Sequence, residues 1–360
     1  MVVRADMRQG KFMVSSRREQ LAPKPLVSIL ISAYNAQEWV AETLQSAVNQ
    51  SWDRKEIILV DDGSTDRTAE VARRFQSKGV TVVSGENRGL SAGQNTAYRQ
   101  CQGDYIQYLD ADDLLASDKI ERQLAALRED DSKRLLLSSP WAPFYYRTKH
   151  ARFVHNSLCE DLSPVEWLLR KLKDNVHMQN ATWLVSRELA EAAGLWDVSL
   201  NYDQDGEYFA RVLLASEGTR FVPGTGIFYR MTSTNRVSYL GKSNNKKDSL
   251  IRSMKLHIQY LRSLEDSERV RNASLAYIHT WLPAFYPDRP DIICELEHIA
   301  AEFDGSLARP SLNPKYAWME SVLGWNAANW TQQTLSLVKS SLIRRCDKAL
   351  FMLDELHPSV

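Results

Sequence analysis

The chain has 360 residues, 44% hydrophobic and 25% charged, with 45 Lys plus Arg against 45 Asp plus Glu. That length supports a large core and two domains, and the even charge leaves no basic field for nucleic acid or an anionic membrane. Cys101, Cys159, Cys294 and Cys346 show no CxxC spacing, which argues against a zinc site or a disulfide framework and suits a reducing, cytoplasmic compartment.

Residues 1–24 lack the apolar middle of a signal peptide and read as a polar leader. From Leu26 the pattern turns regular. "LVSILISAYN" is a continuous apolar run, as expected of a strand covered on both faces. "AQEWVAETLQSAVNQ" follows with helical spacing. "EIILVDDGS" is a second buried strand, and "TDRTAEVARRFQSKG" a helix stopped at Gly79. "VTVVSGE" is a third strand, "LSAGQNTAYRQC" a short helix and "DYIQYLD" a fourth strand. In the helix "DKIERQLAALRE", Asp118 and Glu121 fit a capping box. This alternation predicts an α/β fold with a mostly parallel sheet flanked by helices over residues 25–242.

After Arg134 the order loosens. "RLLLSSPWAPFYY" reads as a strand, "PVEWLLRKLKD", "SRELAEAAG" and "DQDGEYFARVLLASEG" as helices, and "TRFVPGTGIFYRM" as one or two short strands. Residues 243–360 read as an all-α appendage that prolines 283, 287, 290, 310 and 314 break into short helices. No apolar run approaches the roughly 18 residues of a membrane span.

Ligands of a parallel sheet sit at the carboxyl ends of its strands. Here those ends carry Ser32, Tyr34 and Asn35, then Asp61 and Asp62, then Asp110, Asp112 and Asp113. "DDGS" alone also reads as a turn with an N-cap, and "DAD" alone as a surface turn. Acids at two strand ends of one sheet point to a shared task. Asp110 and Asp112 alternate onto one side of an extended chain. Two hard oxygen ligands suit Mg²⁺ or Mn²⁺ with a substrate diphosphate, and hence a nucleotide.

The blocks "VSILISAYNAQEWVAETLQSAVNQSW", "EIILVDDGSTDRTAEVA", "NRGLSAGQNTA" and "GDYIQYLDADD" resemble the successive motifs of family 2 glycosyltransferases, inverting enzymes of the GT-A fold. The resemblance is dense over residues 26–118 and looser to about residue 240. It implies that Ser32 and Tyr34 line the base pocket and that Asp62 accepts a hydrogen bond from the base. It places Asp110 near the ribose and Asp112 on the metal, and leaves Asp113 a turn acid ahead of a helix. "YDQDGEYFARVLLAS" resembles the family's acid pair, which puts the catalytic base on Asp205. Gln204 stands there for the usual Glu, and Gln94 for the usual Arg of the third block.

"NATWLVSRELAEAAGLWDVSL" is similar to the family's acceptor wall, which makes Trp183 and Trp196 candidates to stack on a sugar, or plain core. His177 reads as structural, and Arg211 as a partner of nearby acids. "GIFYRM" resembles the closing strand, with Thr232 in place of the His that often follows, and leaves Arg230 open as a phosphate contact.

The resemblance implies transfer from a nucleoside diphosphate sugar, UDP favoured, to a glycan or lipid-linked acceptor. A non-catalytic sugar-nucleotide-binding module is the alternative; a nucleotidyltransferase would want a Gly-rich basic loop that "SAYNAQEW" lacks. The tail helix "NWTQQTLSLVKSSLIRRCDKALFML" joins Trp330 and an apolar stripe to Lys339, Arg344, Arg345 and Lys348. It reads as a helix packed on the catalytic domain or on a second copy, or as a peripheral contact with a membrane's cytoplasmic face.

Overall fold

The computed structural model describes residues 24–128, 131–232, 240–241, 243–310 and 314–356; the leader expected over 1–24 lies outside these except for Lys24. The first part alternates β1 (Val27–Ala33), α1 (Val40–Val48), β2 (Lys55–Asp62), α2 (Thr68–Arg73), β3 (Val80–Gly85), α3 (Leu90–Gln100) and β4 (Tyr105–Asp110). Next come β5 (Leu114–Leu115), α4 (Lys119–Ala125), β6 (Leu135–Ser138), β7 (Trp141–Phe144) and α5 (Pro164–Asp174). They are followed by β8 (Val185–Ser186), α6 (Arg187–Ala193), α7 (Gln204–Ala215), β9 (Gly218–Phe221) and β10 (Ile227–Arg230). The tail holds α8 (Asn244–Leu264), α9 (Glu268–Trp281), α10 (Pro290–Ala301) and α11 (Pro314–Leu356).

Every residue of β1 is buried, because this strand runs through the middle of the sheet with helices over both faces. The main sheet has the order β3-β2-β1-β4-β8, parallel except for β8, which pairs antiparallel to β4. The strand order reverses between β1 and β4, and a crevice opens there at the carboxyl ends of the strands. A small sheet β5-β10-β7 and the pair β6-β9 complete the strands. The mostly parallel α/β sheet flanked by helices that the alternating pattern predicts is present.

Two local expectations fail. The single strand foreseen over 135–146 is two, β6 and β7, parted at Ser139 and Pro140, because proline cannot donate to a ladder. Asp118 makes no capping bond to α4; its carboxylate is taken by the Thr225 hydroxyl at 2.7 Å and by Arg122 at 2.5 Å.

The tail is not a string of short helices. α8 runs 21 residues, and α11 runs 43 with a break at Gly324, where φ is +77°. The last proline before its end is Pro314, at the helix start, so no later residue removes a helical hydrogen bond. Leu250, Met254, Ile258 and Leu261 of α8 and Val270 and Ile278 of α9 share one core with Trp167, Leu168, Phe209 and Leu213 of α5 and α7. Residue 243 therefore marks a change in composition and not a gap in packing. α11 docks on the loop after β7 through Asp347, which accepts from the Tyr146 backbone at 2.9 Å and from Arg147 Nε at 2.8 Å. Leu335, Val338, Leu342 and Leu353 lie on the opposite, exposed side.

Candidate functional site

The crevice is a cleft of about 1210 Å³. Its first end is built by strand termini. The register sets Ser32 of β1 opposite Asp110 of β4 and Ala33 opposite Asp61 of β2. A side chain at Gly93 would collide with the Ser32 hydroxyl, so glycine lets α3 ride close over the end of β1. Gly63 has φ +71°, and a Cβ there would stand 2.5 Å from the Asn87 nitrogen. That close approach brings the loop before α3 onto Asp62, whose two carboxylate oxygens accept the backbone N–H groups of Arg88 at 2.9 Å and Gly89 at 2.8 Å. Tyr34 is half exposed on the rim.

The middle of the cleft carries Asp110 and Asp112. Asp110 accepts from Gln179 Nε2 at 3.1 Å and Asn180 Nδ2 at 3.0 Å. Burial pushes its carboxyl up to about 7, helped by the charges of Asp112 and Asp205 and opposed by Asn180. Asp113 is no exposed turn acid: it is fully buried, accepting from Gln179 Nε2 at 2.6 Å and from the Arg230 backbone at 2.8 Å. Burial, then Asp112 and Asp110, raise its carboxyl well above the usual range. Carboxylates crowded this closely raise one another's affinity for protons, and their oxygens are the ligand type a hard divalent cation takes. Among the described residues no three His, Cys, Asp or Glu side chains form a metal cage. A cation on Asp112 would therefore draw its remaining ligands from phosphate and water.

Asp205 stands in the first turn of α7, on the cleft wall. Its carboxyl is pushed up to about 6 by burial and by the Asp203 charge, with Lys171 pulling the other way. Asp203 takes the left-handed conformation (φ +56°), accepts from the Ser253 hydroxyl and lies 3.7 Å from His257, which anchors α7 to α8. Ser32, Tyr34, Asp62, Asp110, Asp112 and Asp205 thus all line one cleft.

Other expectations are corrected. Trp196 is 3% exposed and stacks on Tyr208 at 4.3 Å, while Asn95 grips its backbone with two bonds of 2.9 Å. Trp183 is 1% exposed, with Phe209 stacked on it at 5.3 Å and Trp167 at 5.6 Å. Covered in this way neither offers an open ring face, although Trp183 borders the cleft. Half-buried aromatic residues on the helical wall of the cleft are Tyr202 and, from α9, Trp281. Arg230 is 1% exposed, clasped between Trp39 at 4.2 Å and Phe144 at 4.6 Å. Its Nε donates to the Asp112 carbonyl and its Nη2 to Glu42, both at 2.7 Å, so it braces the acidic loop from behind. Gln94 is fully buried away from the cleft, and neither amide atom has a hydrogen-bond partner among the described residues. Gln204 lines the cleft with its Oε1 equally unmatched. Arg211 pairs with Glu207 at 2.7 and 2.9 Å, as expected of a structural partner. His177 lies with its ring centre 5.4 Å from that of Trp141. The residues missed by sequence reading are Gln179, Asn180 and Lys171; the adjacent amides ahead of "ATWLV" were the one available signal for the first two.

Comparison with known proteins bears on this layout. Residues 28–153 match the model of glycosyl transferase family 2. They belong to that family. An uncharacterized glycosyltransferase of Rickettsia typhi is 31% identical over 199 residues, 53% of this chain and 60% of that one. The chondroitin synthase of Escherichia coli is 40% identical over 108 residues, 29% of this chain and 16% of that one. The chain thus spans less than two thirds of the length of these relatives. Staphylococcus aureus TarS in complex with UDP-GlcNAc superposes with a TM-score of 0.62 at 15% identity, covering 77% of this chain and 80% of that one. The mannosyltransferase PcManGT of Pyrobaculum calidifontis, in complex with GDP-Man and Mn²⁺, gives 0.51 at 19% identity, covering 90% and 88%. Both likenesses concern the fold.

Proposed function

We propose that this protein transfers a sugar from a nucleoside diphosphate sugar to an acceptor hydroxyl with inversion, in the synthesis of a polysaccharide, lipopolysaccharide or other glycoconjugate. The observation that carries the reading is the gathering of Asp62, Asp112 and Asp205, from three separate segments, on one cleft. Ser32, Tyr34 and Asp62 would seat the base, and Asp110 the ribose. Asp112 would hold Mn²⁺ or Mg²⁺, which when bound neutralises charge on the departing diphosphate. Asp205 would take the acceptor proton as the oxygen attacks. The UDP-GlcNAc and GDP-Man complexes of the structural neighbours support a nucleotide sugar as donor.

No helix among the described residues is long and apolar enough to cross a membrane. The proposed setting is the cytoplasm, with the outward side of α11 meeting either a membrane surface or a second copy. Flotation with liposomes, compared with a chain truncated near residue 320, tests the first.

The direct experiment is thermal protection by UDP-, GDP- and dTDP-sugars with and without Mn²⁺. Metal-dependent protection by one of them is expected, and its loss in Asp112→Ala. Absence of protection by any sugar nucleotide overturns the reading. Protection without transfer or donor hydrolysis would instead favour the binding-module alternative, which the unmatched Gln94 and Gln204 motivate.

A further inference from the structure

Past Asp205 the cleft is lined by α5, the loop after it, and α9. Lys171 stands in the last turn of α5 and is 7% exposed, its stem packed in the core and its residue on the cleft wall. Its Nζ is not among the fully buried polar atoms, so the covered stem carries the ammonium out into the cleft, where a carboxylate or an anionic ligand can meet it. Here, among the described residues, Lys171 makes no ion pair and no hydrogen bond. The acids at the start of α7 do not hold it: Asp203 is bound to Ser253 and lies beside His257, and Asp205 makes no ion pair with it. Its field reaches Asp205, His257 and His177. α5 packs on α9, α8 and α7, so Lys171 stands with Asp205 on the helical wall of the cleft, whereas Ser32, Asp62 and Asp110 come from strand ends. Tyr202 and Trp281, both half-buried, line the same cleft with ring surface of the kind a sugar packs on.

We propose that Lys171 is an anion-binding residue of the acceptor subsite, so that the acceptor carries a carboxylate or phosphate group close to the hydroxyl that is glycosylated. This deepens the reading above and rests on it for the word acceptor, though binding of the anion itself does not. A lone lysine with rotatable donors suits either group, since neither needs the fork of an arginine. In the free protein the ammonium faces the cleft unmatched, and an anionic acceptor completes it.

The test is binding of three probes to the full chain: p-nitrophenyl β-glucuronide, glucose 1-phosphate and neutral p-nitrophenyl β-glucoside, with UDP binding measured on the same samples. The wild type is expected to favour at least one anionic probe over the neutral one. Lys171→Met should weaken that probe by about tenfold or more, the loss of one charge-assisted hydrogen bond, with the glucoside and UDP unaffected. Lys171→Arg should keep the preference, which separates loss of charge from loss of fold. Equal binding of all three probes by the wild type, or an unchanged preference in Lys171→Met, overturns the proposal. So does a loss of UDP binding in Lys171→Met, which would place the residue on the donor. Failure of the wild type to bind any nucleotide is instead a failure of the sugar-transfer reading, and the anion measurement stands apart from it.

Discussion

The two ends of the cleft are built by different means. The end proposed to seat the nucleotide is made of strand termini and tight loops: Ser32 against Gly93, Asp62 on two backbone N–H groups, Asp110 on two amides. Backbone and short side chains leave little freedom there. The end proposed for the acceptor is made of helices, with Lys171 of α5 and Trp281 of α9 on its wall. Rigid backbone suits a part that every sugar nucleotide shares, whereas side chains on helices can be exchanged for another acceptor without disturbing the sheet.

The strongest way to break this division is at its midpoint. Asp205→Asn should lower kcat by about 10² to 10⁴, the usual share of a general base, with nucleotide binding retained. If the loss falls on nucleotide affinity, Asp205 belongs to the first end. Next in size, Gln179→Ala removes donors from both Asp110 and Asp113. By analogy with lost supports of metal ligands it should weaken metal-dependent donor binding by about 10- to 100-fold, with acceptor affinity unchanged; titration calorimetry with donor nucleotide and Mn²⁺ reads this.

A smaller and more diagnostic effect is in pH. Asp205 must be ionised to accept a proton and its carboxyl stands at about 6. The rate should therefore fall about tenfold per unit as pH drops below that value. Asp203 is one of the causes of the rise, so Asp203→Asn should move the limb to lower pH. A limb that stays in place would show that the rate reports some other group. The smallest effect concerns the support beneath both ends, where the Tyr108 and Tyr208 hydroxyls share a buried bond of 3.0 Å between β4 and α7. Tyr208→Phe should cost about 1 to 3 kcal/mol of stability in denaturant unfolding, because the remaining hydroxyl is stranded.

The same division separates what could be read in the sequence from what could not. β1, β2 and β4 are apolar runs ending in polar residues, so local pattern alone locates them and the acids they carry. Trp183 and Trp196 could not be sorted into wall or core, since the rings that cover them, Phe209 and Tyr208, come from α7, well along the chain. Asp113 was read as a turn acid because its partners Gln179 and Arg230 are equally remote. Lys171 sits in an ordinary amphipathic helix, "PVEWLLRKLKD", beside Lys173, which is exposed. Nothing in that pattern tells which lysine turns inward.

The stretch recognised by family, 28–153, is propped from beyond its own end: Gln179 and Asn180 hold Asp110, and Arg230 reaches back to Asp112 and Glu42. During synthesis the acids are laid down early but stay without their props until the ribosome has passed Arg230. An excised fragment carrying every signature motif would accordingly keep the lettering of the enzyme without its working pocket.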